Sequence, residues 1–312
     1  MTSSALQSWL LGFALALSLS LFLGCAPEEK SEEEVGALTL SSGDLVISNA
    51  GSRDVKVFSA DGVYKGTLLD LDNASGQAPY GLEYNPLSQQ ILVAVDGAAG
   101  RVIKGIHRSS FAITDFSTSS ALNNTLRGLA LLTSGDLLVV IAGGNRVEKL
   151  NGLTGTQITA GAWPKSLQTA GTGVAARLSG SFVHCSSGTD AVRLYDATGA
   201  QTATVSSGIA STTDVMDCKA DSTGHIYAVY NGTTDTVRKY DSTLGTTTWS
   251  YSNTVLLPNP TGLAVRSNGS ALVLDQTLHH VLVVAADGTS ATTLGSDSDN
   301  LLNSPQFILI LP

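Results

Sequence analysis

Gly128-Leu129-Ala130-Leu131-Leu132-Thr133-Ser134-Gly135-Asp136-Leu137-Leu138-Val139-Val140 reads as two short apolar runs folded about a turn, and a third run opens at Asn145-Arg146-Val147. The turn residue Gly135 precedes Val147 by 12 residues, and the same landmark pair recurs along the chain. Gly43 and Val55, Gly180 and Val192, Gly224 and Val237, Gly269 and Val281 are separated by 12, 12, 13 and 12 residues. With Val102 included, the six valines are spaced by 47, 45, 45, 45 and 44 residues. A period of this length means one supersecondary unit used six times.

The content of the period makes the unit a small sheet. Apolar strands such as Asp44-Leu45-Val46-Ile47, His225-Ile226-Tyr227-Ala228-Val229 and Ala271-Leu272-Val273-Leu274 lie between glycine and valine. A shorter strand such as Gly262-Leu263-Ala264-Val265 comes before, and a third strand, a turn and a Thr/Ser-rich fourth come after. The turns Asp61-Gly62, Thr198-Gly199 and Asp287-Gly288 suit tight hairpins, because glycine tolerates positive φ at no steric cost. Four antiparallel strands per unit and six units predict an all-β fold, a six-bladed β-propeller over residues 36–312. The second unit departs from the pattern at Ser88-Gln89-Gln90 and at Gly105, so its outer half is expected to be irregular.

Ring closure has two candidate strands. Leu301-Leu302-Asn303-Ser304-Pro305 copies Leu256-Leu257-Pro258-Asn259-Pro260 at an offset of 45, and an apolar strand, residues 307–311, follows. That strand would pair with the first unit and leave no exposed inner edge. Residues 36–40 align with the same inner position, so two segments compete for one place in blade one.

Charge narrows the function. Only 14 % of residues are charged and the net charge is −9. No basic stripe is present to neutralise phosphates, so a nucleic-acid surface is not expected. The acidic run Glu28, Glu29, Glu32, Glu33 and Glu34 reads as a solvated tether, since like charges repel.

The apolar stretch Trp9 to Leu23 is too short for a membrane span, which needs about 20 apolar residues, and suits a secretory signal. Leu21-Phe22-Leu23-Gly24-Cys25 resembles the lipobox of bacterial lipoproteins. The resemblance implies a signal peptide over residues 1–24, a lipid on Cys25, an acidic tether over residues 25–35, and a place in the bacterial envelope. With Ala26 after the cysteine, it gives no signal for inner-membrane retention and points to the outer membrane. Cys185 and Cys218 remain. They fall on strands of adjacent units, and the sequence leaves open a disulfide between them or two separate buried thiols.

The loops beside the landmark valines carry a second resemblance. Asp96-Gly97-Ala98-Ala99-Gly100-Arg101-Val102, Asp275-Gln276-Thr277-Leu278-His279-His280-Val281, Asn145-Arg146-Val147 and the looser Asn49…Arg53-Asp54-Val55 resemble the NHL repeat of six-bladed propellers. Blades four and five depart from it, with Ala191 and Thr236 at the basic position. The resemblance implies that these groups brace the loop between strands two and three, a carboxylate facing a cation. In the other case, Arg101, Arg146 and His280 rim one face and contact a partner.

The same family implies binding scaffolds, RNA-binding domains, and metal-dependent hydrolases or lyases working in the axial channel. For a hydrolase, calcium or another divalent ion would be held by Glu, Asn and Asp near inner-strand ends, where Glu83, Asn85, Asp214 and Asp217 are the candidates. Only two blades supply them, whereas a metal site needs convergence. His107, His184, His225, His279 and His280 have no zinc-ligand spacing, and neither a Gly-x-Ser-x-Gly elbow nor a phosphate cradle is present. His184 aligns with a buried strand position and is expected to be a satisfied or partly exposed strand histidine. Trp163 is expected to pack over a loop of blade three. No catalytic residue and no cofactor is expected, with Ca²⁺ only under the hydrolase alternative. The expected function is non-catalytic binding of an envelope protein, a surface polymer or a small molecule. The alternatives are the lactonase-like hydrolase and a structural envelope component.

Overall fold

The computed structural model describes residues 38–71, 75–161, 163–166, 170–206, 213–294 and 301–312. Cys25, the signal segment 1–24 and the tether 25–35 lie outside them.

Six four-stranded antiparallel sheets form. Blade one contains β1 (Leu45–Asn49), β2 (Asp54–Phe58) and β3 (Tyr64–Asp70). Blade two is β4 (Gln77–Asn85), β5 (Gln90–Gly97), β6 (Val102–His107) and β7 (Ile113–Ser117). Blade three is β8 (Leu126–Leu131), β9 (Asp136–Ile141), β10 (Arg146–Asn151) and the short β11 (Lys165–Ser166). Blade four is β12 (Gly171–Ala176), β13 (Phe182–Ser186), β14 (Ala191–Tyr195) and β15 (Gln201–Val205). Blade five is β16 (Asp214–Ala220), β17 (Ile226–Asn231), β18 (Thr236–Tyr240) and β19 (Thr247–Tyr251). Blade six is β20 (Pro260–Val265), β21 (Ala271–Asp275), β22 (His280–Val284) and β23 (Ala291–Leu294). The last strand, β24 (Pro305–Ile310), pairs antiparallel with β1, Leu45 opposite Ile310, and completes blade one. The first strands β4, β8, β12, β16, β20 and β24 touch in that order, and β24 touches β4, which makes a closed ring around an axis.

The competition for blade one is decided for the C-terminal strand. β24 buries Phe307 and Ile308, and Leu311 exchanges backbone bonds with the turn at Gly43 and Asp44. Leu38 and Leu40 pack instead on the cluster between blades one and two. Gly66, at φ 150°, makes room for Leu38: a Cβ there would stand 3.3 Å from the leucine methyl.

The core is distributed rather than central. Each pair of neighbouring blades shares one apolar cluster, such as Leu92, Ala94 and Ile103 of blade two against Leu126, Leu129 and Val139 of blade three. The second strands β1, β13 and β21 are buried at every residue because both of their faces meet a neighbouring blade. Outer strands such as β15 and β19 are largely exposed.

Blade two corrects one expectation. β6 runs unbroken through Gly105, which pairs with Leu92 on one side and Thr114 on the other, and the irregularity of the outer pair is a register shift between Ile103 and Lys104. A Cβ at Gly105 would meet the Gln90 side chain, so the glycine makes room for that amide rather than breaking the strand. The reduced blade is the third, whose outer strand has two residues.

Candidate functional site: the axis and the loop face

Every inner strand carries a register shift against its partner, and at this irregularity the neighbouring inner strands come close. Gly81, Gly128, Gly173 and Gly262 sit there. A Cβ on Gly128 would lie 2.9 Å from the Val174 nitrogen and 3.0 Å from the Gly173 Cα, backbone that cannot yield. Blade five places Asp217 at this seat. Its carboxylate is fully buried and accepts from Cys218 N at 2.8 Å and from Leu263 N of blade six at 3.0 Å. Burial pushes Asp217 up to about 6, against the pull of Lys219 and the two N–H donors.

Two residues further on, the inner strands face a cavity of about 290 Å³ lined from all six blades, including Leu82, Ala175, Ala264 and Ile308. The equivalent positions read Glu83, Ala130, Ala175, Lys219, Ala264 and Leu309 around the ring, so one acid and one base stand in opposite blades. Glu83 accepts from Tyr84 N at 3.0 Å and from Leu131 N of blade three at 3.3 Å. Burial raises its pKa, and the Lys219 charge opposes the rise. The Lys219 ammonium is 3.8 Å from Asp217.

The four candidate metal ligands are not brought together. Asn85 is buried at the far end of β4, donating to Gly152 O and accepting from Leu87 N at 3.0 Å, a turn brace. Asp214 lies at the start of β16, the opposite end of the channel, and is exposed. Among the described residues no group of three or more His, Cys, Asp or Glu side chains is placed to hold a metal ion.

One face of the ring carries the loops between second and third strands and the connections from blade to blade. The predicted carboxylate–cation brace occurs there in blade two, where Arg101 Nε lies 2.7 Å from Asp96 and Arg127 lies 3.6 Å from it. Blades three and six differ. Arg146 pairs with Glu148 and donates to Ala121 O and Asn123. Asp275 accepts from Thr277 N and Leu278 N and, through its other oxygen, from Asn259 N, while His280 Nε2 is 3.1 Å from Leu256 O. The backbone N–H groups of the loop therefore satisfy the carboxylate in blade six. Arg101, Arg146 and His280 share this face, each engaged within the chain.

The sequence reading did not find a track of amides on the same face. Asn231 of blade five donates to Asn259, Asn259 Nδ2 donates to Gln276 at 3.3 Å, and Gln276 donates to Ser304, which also receives Gln306 at 3.3 Å. These half-buried side chains run over blades five, six and one. No spacing announced them, because they come from different positions of the period.

Cys185 and Cys218 are joined as a disulfide between blades four and five, with Cα atoms 6.1 Å apart. His184 departs from expectation. It is fully buried, and neither ring nitrogen has a hydrogen-bond partner among the described residues. Burial first, and the Arg193 charge second, push its pKa down to about 3, so it packs as a neutral ring. Trp163 is 7 % exposed against Phe182, ring centres 5.9 Å apart.

No protein-family model matches the chain and no curated protein matches it. Solved structures do. A chain of a nidogen/laminin complex superposes with a TM-score of 0.67 at 11 % identity, covering 86 % of this chain and 99 % of that one. A candidate 6-phosphogluconolactonase of Bacteroides fragilis gives 0.59 at 12 % identity, covering 86 % and 98 %. At such identities the likeness is one of fold: this chain is a six-bladed β-propeller.

Proposed function

We propose that the chain is an envelope lipoprotein whose NHL-like propeller recognises a partner on its loop face without chemistry. The observation that carries this is the concentration of unlike connections and of the amide track on that one face of an otherwise repetitive ring. Of the fully described blade-to-blade connections, residues 118–125 contain a 3₁₀ turn (Ser120–Leu122), whereas residues 252–259 contain none. Loops held on a rigid scaffold are where specificity is placed. Asn231, Asn259, Gln276 and Ser304 offer uncharged donors and acceptors that match polymer hydroxyls or peptide backbone better than a charged group. Arg101, Arg146 and His280 border the same surface. The similar nidogen/laminin chain belongs to a protein assembly, an analogy at the level of fold. The lipid on Cys25 and the acidic tether hold the propeller to the outer membrane, facing the periplasm or the exterior.

A second reading is a metal-dependent, lactonase-like hydrolase at the axis. Glu83 and Lys219 facing the central cavity favour it, as does the candidate lactonase among similar folds. In that reading Glu83 would hold a divalent ion such as Ca²⁺.

The two are separated by capturing native envelope material with the full-length protein, an Asn259→Ala/Gln276→Ala variant and a Glu83→Gln variant. Recognition expects a stoichiometric partner that survives high salt, is lost in the amide variant and is kept by Glu83→Gln. A solitary protein that is stabilised by calcium and hydrolyses lactones, with both properties lost in Glu83→Gln, would replace recognition by hydrolysis.

A further inference from the structure

The opposite face of the ring has its own chemistry. It carries the turns between first and second strands and between third and fourth strands, which touch within a blade. A Cβ on Gly43, Gly180, Gly224 or Gly269 would come within 3.5–3.6 Å of Ala60, Ala197, Ser242 or Ala286. Among the described residues, five of the six well-exposed large apolar side chains belong to this face or its edge: Val63 (62 %), Leu87 (58 %), Ile113 (49 %), Leu153 (61 %) and Leu178 (73 %). The sixth described one, Val255 (76 %), lies on the loop face.

These residues are not spread evenly. They form an arc over blades one to four, centred on blades two and three. The turn carboxylates Asp61 and Asp287, both exposed, and Asp196 and Asp241, both half-exposed, form the facing arc, over blades four, five, six and one. Hydroxyl and N–H groups of their own turns hold each of them below its ordinary value, so all four are charged at neutral pH. The third turn of blade two carries His107, Arg108 and Phe111 instead, and that of blade three carries Leu153.

The chain enters the described fold on the apolar arc. Leu38 and Leu40 line a cavity of about 380 Å³ together with His107, Arg108 and Phe111. Thirteen residues separate Cys25 from Leu38, a reach of at most about 45 Å, which permits either face to approach an anchoring bilayer. The chemistry of the faces must therefore choose. Apolar side chains flanked by cations are drawn into the interfacial layer, and carboxylates are repelled by anionic headgroups.

We propose that the turn face is a membrane-resting surface, with the blade two and three edge set into the headgroup layer, the acidic arc tilted away and the loop face turned outward to its partner. The occupant is the lipid bilayer that holds Cys25. This rests on the lipoprotein reading above, and the test separates the two.

The lipidated full-length protein is reconstituted into phosphatidylethanolamine/phosphatidylglycerol vesicles carrying headgroup spin labels. A fluorophore is attached at Leu153→Cys in one sample and at Val255→Cys in another, both exposed sites that tolerate change. Quenching at position 153 is expected to exceed that at position 255 by about threefold or more, as burial of only one face requires. Equal or reversed quenching overturns the orientation. Flotation of the wild type against Cys25→Ser reads the anchor independently. If the wild type does not float, both the anchor and the orientation fall. If it floats and the quenching is wrong, only the orientation falls.

Discussion

The seam between blades three and four and the seam between blades five and six face the same steric demand and meet it differently. At the first, Gly128 removes its side chain so that the β12 backbone can close in. At the second, Asp217 keeps a side chain and uses it, bonding Leu263 N across the seam with Lys219 as its counter-charge. The seat needs either no atoms or the right ones. A buried carboxylate is tolerated there because the neighbouring strand offers an N–H group and a cation stands nearby. Of the two charged side chains at the otherwise apolar axis, Lys219 is the counter-charge of this seat.

The largest effect is expected from filling a glycine seat. Gly128→Val should lower unfolding free energy by about 4 kcal/mol, because backbone atoms block relaxation. A urea midpoint unchanged from the wild type would break the comparison at its first term. Next comes the disulfide beside the Asp217 seat, which spans 33 residues. Its replacement by Cys185→Ala/Cys218→Ala should cost about 3 kcal/mol through the freer unfolded chain. A variant as stable as the wild type in the same titration would show that the bridge adds nothing to the seam it crosses, between blades four and five.

Asp217 gives a pH signature. Its folded value of about 6 lies above the ordinary 3.8, so the native state binds the extra proton. Stability from this group is therefore absent above pH 6 and grows as pH falls towards 4, by about 2 kcal/mol. Measured against Asp217→Asn, the wild type should gain that much between pH 7 and pH 4. A difference independent of pH would mean that Asp217 titrates normally. The smallest effect belongs to the turn face, where the Thr243 hydroxyl first, and backbone N–H groups after it, hold Asp241 down to about 2. Asp241→Ala should lower Tm by about 2 °C or less at pH 7, a difference that fades as pH falls towards 2. A drop as large as that of Gly128→Val would mean that the turns, rather than the seams, hold the ring.

The glycine seats were visible in the sequence, since Gly128 and Gly262 mark first strands, yet their purpose was not. A missing side chain shows its reason only when the neighbouring strand is in place. In the sequence Asp217 is one oxygen donor among Glu83, Asn85 and Asp214, and inner-strand position alone does not tell a seam from a ligand shell. Gly105 was read as a break because the Gln90 amide that fills its space lies on the adjacent strand. The amide track was illegible for a related reason: Asn231, Asn259, Gln276 and Ser304 are 17 to 28 residues apart in sequence and meet only where blades five, six and one converge.

By itself the sequence determined the period, the strand content, the turn positions and hence six blades in a ring, because alternation and turn glycines act within a few residues of one another. The tertiary structure alone decided which segment closes blade one, which seats are steric and which are charged, and which exposed side chains share a face. Those outcomes depend on contacts between residues from different blades, and between β1 and β24, which are far apart in sequence, where proximity is set by closure rather than by spacing along the chain.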